Sequence, residues 1–235
     1  GGQIFTNTKV TSIEGENKKV NYVRLENGEI IYANKIISNI HPSDTLKMAS
    51  SNLSNKVYRK RIISLDNTIG MFTVYIVLKK EAFPYLNYNH HHYKTNNVWT
   101  ADYNLENWPE HYYLYTPAQF AEMKWAKGLI LMTYMKYSEV KKWENSFTGE
   151  RGKDYEEFKI EKAERLINLA EKKFPSIRKS IKSYYTSTPL TYRDYTGTPE
   201  GSSYGVLKDF NDPYSTIITP KSRIKNLFFT GQNLN

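Results

Sequence analysis

Short apolar runs with β-strand periodicity dominate the first part of the chain. The opening stretch 2–13 spaces its apolar residues among Thr and Asn, which suits a strand better than a helix. Two strand-forming runs, 20–25 and 29–33, then flank Asn27 and Gly28. Because Asn and Gly both accept positive φ, Asn-Gly between such runs is a strong hairpin signal. We predict a strand within 2–13 and a β-hairpin around Asn27-Gly28.

Two further apolar runs each lead into polar or Gly residues. The run 35–40 is nearly continuous and ends at His41-Pro42, the pattern of a strand buried on both faces. Its polar Ser38 and Asn39 are then expected at the carboxyl end of the strand. The run 224–229 is a predicted strand that passes directly into a Gly turn. Since ligands of open α/β sheets bind at the carboxyl ends of strands, Ser38 and Asn39 are a candidate binding position if the sheet is of that type.

The middle of the chain favours an antiparallel sheet rich in aromatic residues. In 70–78, alternate apolar positions form one face, which predicts a central strand. The segments 98–103, 111–116 and 129–135 are further predicted strands.

Helical periodicity is clearest between Asp154 and Phe174, where an acidic start precedes recurring apolar positions and Pro175 follows. A second short helix is predicted over 176–182. The periodicity is then lost in 186–212, which is rich in Thr, Gly, Pro, Ser and Tyr and is predicted to form loops.

Charge and composition limit the classes of function. The 235 residues carry a formal charge of +9, which favours anionic partners, but the basic residues are scattered apart from short clusters at 58–61 and 221–225. A solvated surface is therefore favoured over a dedicated nucleic-acid site. No cysteine is present, which excludes disulfides, thiolate metal sites and cysteine nucleophiles. No apolar run of membrane-spanning length or signal segment occurs, so we expect a soluble cytoplasmic chain, at most peripheral to a membrane.

Two kinds of catalytic site are not supported by the sequence. Adjacent histidines in 90–92 would point in alternating directions in a strand and lack a carboxylate at helical spacing, so no metal site is predicted. No Gly-x-Ser-x-Gly elbow for a serine hydrolase occurs either.

Several segments together resemble the phytoene desaturase and retinol saturase branch of the flavin oxidoreductases. Their order and spacing agree with that family across nearly the whole chain. The segments are 1–13 with the hairpin that follows it, Ile36 to Pro42, Thr188 to Thr191, Pro199 to Gly205, and Asn226 to Gln232.

The resemblance implies an α/β (α+β) fold, in which incomplete pieces of a Rossmann-like FAD-binding domain accompany a mostly antiparallel substrate-domain sheet with helices. The implied domains are 1–45, a returning part of the FAD-binding domain; 46–187, the substrate domain; and 188–235, a flavin-facing loop with the final FAD-domain strand. No G-x-G-x-x-G fingerprint occurs in the chain. Together with a chain that begins on a strand and stops at a strand-to-loop junction, this suggests a C-terminal fragment.

The resemblance also implies cofactor contacts. The backbone of Val10 would lie near the adenine, Ser38 and Asn39 would line the cofactor, and Gly231 would admit the flavin closely. Each residue also has an interpretation without a cofactor: Val10 would be a core residue of a strand, Asn39 would cap a turn, and Gly231 would end a strand.

Flanking positions complete the implied FAD site. Thr230 and Gln232 belong to the same junction as Gly231. In the 199–205 loop, Gly201 and Gly205 would let the backbone approach the isoalloxazine, and Tyr204 would form an aromatic wall; the alternative is a plain surface Ω-loop. No catalytic residue is assigned.

The implied reaction is hydride transfer between flavin and a carbon–carbon bond of an apolar, lipid-like isoprenoid, carotenoid or retinoid. The aromatic middle sheet is the candidate wall for that substrate. FAD is expected in the full-length protein and absent from this fragment, which is expected to be inactive. The alternatives are a flavin amine oxidase with another substrate, a basic aromatic-rich module for nucleic acid or glycan, and peripheral membrane contact through the basic clusters. No nucleic acid is expected under the flavin interpretation.

Overall fold

The computed structural model describes residues 1–99, 101–118 and 124–234. The chain divides into two compact units: unit 1 holds Gly1–Thr68, Gly197–Pro199 and the chain from Tyr204 onward, and unit 2 holds Ile69–Thr196 with Glu200–Ser203.

The regular elements alternate between strands and short helices along the chain. The strands are β1 (Val10–Glu16), β2 (Lys19–Leu25), β3 (Ile30–Tyr32), β4 (Ile36–Ser38), β5 (Gly70–Leu78), β6 (His90–Tyr93), β7 (His111–Tyr115), β8 (Gly128–Met135), β9 (Ile181–Ser187) and β10 (Leu227–Phe229). The α-helices are α1 (Pro42–Met48), α2 (Lys56–Ile63), α3 (Lys153–Glu171), α4 (Ile177–Ser180), α5 (Pro189–Thr196) and α6 (Pro213–Thr216). Short 3₁₀ turns cover Ser51–Leu53, Tyr137–Glu139, Lys141–Trp143 and Pro199–Gly201.

Unit 1 contains an antiparallel sheet in the order β1-β2-β3. The predicted hairpin is confirmed: Arg24 pairs with Ile30 across a turn in which Gly28 has a φ of +87°. The strand predicted within 2–13 begins only at Val10, because that is where pairing with β2 starts. Phe5 lies before β1 and is exposed.

A parallel pair, β4 with β10, is the second sheet of unit 1, and Ile36 lies opposite Leu227. The predicted strand before the Gly turn is therefore confirmed. The prediction that the earlier strand is buried on both faces is wrong, because Ile37 is 70% exposed. Among the described residues β4 has β10 as its one strand neighbour, and its second face is not covered.

Unit 2 is built on an antiparallel sheet in the order β6-β7-β8-β5-β9. The predicted central strand is confirmed: β5 lies between β8 and β9. Its alternate residues Phe72, Val74, Ile76 and Leu78 are buried in the core of the unit. The strands predicted near β7 and β8 are confirmed as well.

The strand predicted at 98–103 is wrong for the residues of that segment that the structure describes. The Tyr103 ring is buried, and its hydroxyl donates a hydrogen bond to Glu139. The segment is therefore held by side-chain contacts instead of by strand pairing. On the side away from β8, β7 pairs with β6, the histidine segment.

The long predicted helix is confirmed as α3, which buries Ala163, Leu166 and Ala170 in the core of unit 2. The helix predicted over 176–182 is too long. It ends at Ser180, whose hydroxyl donates to Ser176 O at 2.8 Å and to Ala82 O at 2.7 Å. The next residues form β9, because pairing with β5 outweighs the local helical pattern.

Helix α5 corrects the prediction that 186–212 is a loop. Pro189 is its first residue, where a missing N–H causes no loss. Thr188 Oγ1 accepts a hydrogen bond from Leu190 N at 3.2 Å. The Thr-Pro pair is thus a helix-start signal that the sequence offered. The predicted α/β (α+β) class, with a mostly antiparallel sheet in the larger unit, is confirmed.

Candidate functional site

The carboxyl ends of β4 and β10 lie at one edge of unit 1 because the two strands are parallel. Thr230 N donates to Ser38 O at 3.0 Å, which continues the ladder past the last strand residue. The hydroxyls of Ser38 and Thr45 are 2.6 Å apart, so α1 is tied to the same edge. The structure thereby brings together segments from opposite ends of the chain. We call this place, formed by Ser38, Asn39, Thr230 and Gly231, the strand-end cluster.

Gly231 is favoured at the strand-end cluster by its backbone conformation, and it packs against the Asn39 side chain. Its φ is +101°, a conformation that side chains rarely adopt. A Cβ there would overlap Oδ1 of Asn39. The space above this glycine is thus filled by an exposed polar amide that follows β4.

Asn233 connects the end of the 199–205 loop, and the residues just after it, to the turn that follows β10. Its Oδ1 accepts a hydrogen bond from Val206 N at 3.0 Å, and its backbone oxygen accepts one from Lys208 Nζ at 2.6 Å. Gly205 has a φ of +73°, and a Cβ there would overlap Asn233 Oδ1. Asn233 was not predicted, and no spacing or motif distinguishes it from the other asparagines of the chain.

The loop around Tyr204 is held by backbone contacts to Thr68. Tyr204 N donates to Thr68 Oγ1 at 2.9 Å, and Thr68 N donates to Gly205 O at 2.8 Å. The Tyr204 ring itself remains exposed, as does Gln232 in the turn after β10. Both side chains are therefore accessible from solvent on unit 1.

Two of the predicted cofactor residues are not part of this arrangement. Val10 pairs with Leu25 in the antiparallel sheet and packs against the core of unit 1. Gly201 belongs to unit 2, where a Cβ would overlap the carbonyl of Pro189.

His41, which follows the strand-end cluster, is a buried helix cap. Its Nδ1 lies 2.8 Å from Ser43 Oγ and accepts from Ser43 N at 3.3 Å, which caps α1. Burial lowers the pKa of His41, and the carboxylate of Asp44 opposes this shift. The imidazole is thus neutral near pH 7, and its role is structural.

The residues of the strand-end cluster fit one part of a nucleotide-cofactor site. Asn39 and Thr230 are exposed and carry hydrogen-bonding groups at the carboxyl ends of parallel strands, where such ligands bind. At Gly231, Gly205 and Gly201, an added Cβ would meet other atoms of the protein. Packing within the chain therefore explains why these positions are glycine. The amide of Asn39 and the hydroxyl of Thr230 are thus polar side chains that this edge presents to solvent.

Unit 2 presents an open face of its sheet opposite the core. Because directly paired residues share a face, Tyr185, Tyr75, Ile130 and Tyr115 form one row across four strands. Tyr75 is 39% and Tyr185 is 68% exposed, while Ile130 and Tyr115 are half-buried. We call this row, with its neighbours on the same side of the sheet, the open aromatic face. Those neighbours are Val77, Tyr113, Met132 and Ser183, whereas Thr73 and Ser187 on the same side of the sheet are buried.

Two tyrosines on this side of the sheet, Tyr192 and Tyr115, have raised pKa values. The hydroxyl of Tyr192, on α5, lies 2.8 Å from Thr73 Oγ1. Burial raises the pKa of Tyr192 to about 12. Burial also raises the pKa of Tyr115. The face therefore offers aromatic and aliphatic surface, and the hydroxyls of Tyr115 and Tyr192 are protonated near pH 7.

The histidine segment is part of the edge of this sheet. His91 packs on Tyr113 with a ring separation of 4.6 Å, and His92 packs on Tyr112 at 4.9 Å. Among the described residues no group of three His, Cys, Asp or Glu side chains is arranged to hold a metal. Burial lowers the pKa of both His90 and His92.

Comparison with known proteins relates the chain to oxidoreductases. All-trans-retinol 13,14-reductase of Macaca fascicularis is 29% identical over 110 residues, 46% of this chain and 18% of that protein. Prolycopene isomerase, chloroplastic, of Daucus carota is 29% identical over 220 residues, 88% of this chain and 34% of that protein. The chain thus spans about a third or less of the curated relatives it matches. No family model matches.

Among solved structures, an oxidoreductase from Methanosarcina mazei superposes with a TM-score of 0.57 at 14% identity, over 100% of this chain and 46% of that one. This likeness shows the fold. The relatives confirm the predicted resemblance to the retinoid and carotenoid oxidoreductases. In the part of the chain that the structure describes, no helix has the length and apolar character needed to cross a membrane.

Proposed function

We propose that the whole protein is an FAD-dependent oxidoreductase that acts on carbon–carbon bonds of an apolar isoprenoid-like substrate. One observation carries the proposal: β4 and β10, from opposite ends of the chain, pair in parallel and gather Ser38, Asn39, Thr230 and Gly231 at their carboxyl ends. Polar groups at such an edge are suited to a dinucleotide.

In this proposal Asn39 and Thr230 hold the cofactor through hydrogen bonds, and Gly231 keeps the Asn39 amide in place. Gly205 and Asn233 fix the loop that carries Tyr204, whose exposed ring provides an aromatic surface. Val10, Gln232 and Gly201 stay predicted contacts without further support. FAD, when bound, supplies the acceptor or donor of a hydride.

The open aromatic face is our proposed wall of the substrate site. None of the side chains named in this face is Asp, Glu, Lys or Arg, so an apolar chain packs there without leaving a charge unpaired. Ring faces and the side chains of Ile130 and Met132 offer the dispersion contacts that a polyene needs. The relatives include a reductase and an isomerase, so the proposal leaves the net reaction open.

The domain assignment follows the same proposal. Residues 1–45 and 188–235 are proposed to contribute to the cofactor domain, and 46–187 to form the substrate domain. The compact units divide the chain differently, because 46–68 belong to unit 1 and 188–196 to unit 2. The 235-residue chain lacks a G-x-G-x-x-G turn to cradle the pyrophosphate, so we expect it to bind no FAD by itself.

The test uses the full-length protein with Gly231→Ala. A Cβ at this position would displace the Asn39 amide, so we expect the purified variant to lose most of its flavin absorbance at 450 nm. The matched control is Gly28→Ala, also at positive φ in unit 1 but with no atom within 4 Å of the added Cβ.

Both variants carry similar backbone strain, so their flavin-free forms should unfold at the same temperature. A lower flavin content in Gly231→Ala than in Gly28→Ala then supports the strand-end cluster as part of the cofactor site. Equal flavin content in the two variants would place the cofactor elsewhere. A colourless wild-type full-length protein that takes up no added FAD would refute the function itself.

A further inference from the structure

A lysine-rimmed cavity lies at one end of the sheet of unit 2. Its volume is about 630 Å³, within the range of small-molecule sites. The lining comes from the end of β5, the turn after it, the segment before β8 and the bulge of β9. The residues are Val77, Leu78, Lys79, Lys80, Glu81, Lys124, Trp125, Ala126, Lys127 and Lys182.

The rim of the cavity carries an excess of positive charge. Five of the lining residues are lysines and one is a glutamate. Glu81 faces Lys80 at 3.9 Å, and Lys79 Nζ donates to Lys179 O at 2.8 Å. Lys124, Lys127 and Lys182 form no salt bridge within the described residues, and all three are exposed. Unpaired ammonium groups around one concave surface attract an anion.

The floor of the cavity is apolar. Val77, Leu78, Ala126 and Trp125 form it, and Val77 is 38% exposed although it is a strand residue. Lys124 Nζ lies 5.5 Å from the centre of the Trp125 ring. A purely ionic ligand such as phosphate would leave this apolar surface in contact with water, whereas an amphipathic ligand covers it.

The backbone explains why a lysine of β9 joins the cavity. Val77 pairs with Ser183 while Leu78 pairs with Ile181, so Lys182 is the extra residue of a β-bulge. A bulge redirects a side chain relative to the regular alternation of a strand. The register shift therefore brings Lys182 to the lining beside Val77.

We propose that this cavity binds an amphipathic organic anion, with the apolar part on Val77, Ala126 and Trp125 and the anionic group among Lys124, Lys127 and Lys182. The concave shape favours a single molecule over a flat membrane surface. All lining residues belong to unit 2, and Val77 is the one that the cavity shares with the open aromatic face. The proposed anion binding requires no cofactor.

The experiment is equilibrium dialysis of the 235-residue chain with dodecanoate, dodecanol and inorganic phosphate, each below its aggregation limit. We expect saturable binding of dodecanoate with roughly one molecule per chain. Dodecanol and phosphate should each bind at least about tenfold more weakly, since each meets only half of the site. Equal binding of dodecanoate and dodecanol, or of dodecanoate and phosphate, would overturn the proposal.

The triple variant Lys124→Gln/Lys127→Gln/Lys182→Gln tests the rim. Three lost charge contacts should weaken dodecanoate binding by about tenfold. The control Lys35→Gln/Lys56→Gln/Lys221→Gln removes the same charge from exposed positions outside the cavity and should bind within about twofold of wild type. Equal weakening in both variants would indicate a net-charge effect and refute a specific site.

Val77→Glu tests the floor and changes an exposed position, so folding should be preserved. A carboxylate at the floor should abolish dodecanoate binding, and unchanged binding would overturn the proposal. Flotation with phosphatidylserine vesicles completes the test. Vesicle binding without saturable dodecanoate binding would show that the lysines contact a membrane instead.

Discussion

Replacing Lys162 by Met is expected to destabilise unit 2 strongly, because it leaves the carboxylate of Glu139 buried without a counter-charge. The two side chains are 7% and 6% exposed, and Lys162 Nζ lies 2.5 Å from Glu139 Oε2. The ammonium also lies 4.2 Å from the ring centre of Trp108. Removing one partner of a buried ion pair typically costs about 3–5 kcal/mol. We expect that loss in the free energy of unfolding.

The assay is urea unfolding followed by tryptophan fluorescence. All four tryptophans lie in unit 2, so the signal reports the unit that contains the ion pair. The control is Lys153→Met on the same helix, whose partner Glu157 is at 3.4 Å in an exposed pair. That change should cost about 0.5 kcal/mol or less.

The double variant Lys162→Met/Glu139→Met removes both charges. It should be more stable than Lys162→Met alone, because no uncompensated charge remains and the added methylenes pack in the core. A loss below about 1 kcal/mol for the single variant, or no recovery in the double variant, would refute the reasoning. It would show that Glu139 is sufficiently stabilised by the Tyr103 hydroxyl that donates to it.

Two further predictions concern a loop contact and a buried imidazole. Asn233→Ala removes the acceptor of the hydrogen bond from Val206 N, which should lower the free energy of unfolding by about 1 kcal/mol. Hydrogen exchange of the Val206 amide should then become faster. Unchanged exchange would show that the Asn233 side chain does not hold the loop. Burial lowers the pKa of His111 to about 4, so between pH 6.5 and 4 the unfolded chain takes up a proton that the folded chain does not, and stability falls as the pH falls. That loss is on the order of 3 kcal/mol. In urea unfolding at pH 7 and pH 4.5, His111→Phe should lose less stability than wild type. Equal losses for the two proteins would contradict a buried neutral His111.

The hairpin, the central strand and the long helix are determined locally. Asn27-Gly28 permits the positive φ of its turn, alternating apolar residues in 70–78 give β5 its buried face, and the acidic start and Pro175 bracket α3. In each of these, nearby residues carry the information, so sequence reasoning placed the element correctly.

The errors arise where distant residues decide the local structure. After Ser180 the chain becomes β9 because β5 offers a partner, although the local pattern is helical. The run 35–40 is as apolar as a fully buried strand, yet Ile37 is exposed because strand pairing and burial depend on neighbours far along the chain. Helix α5 is an error of another kind, because its start signal, Thr188-Pro189, is local and was not recognised.

The sequence by itself determined the type of most elements, the polar residues at two strand ends and the resemblance to flavin oxidoreductases. Only the tertiary structure decided that Gly231 packs on Asn39, that Asn233 fastens the 204–206 loop, and that a β-bulge adds Lys182 to four other lysines around an apolar cavity. The physical reason is that backbone preference is local, whereas which side chains meet depends on strand register and on contacts between segments distant in sequence.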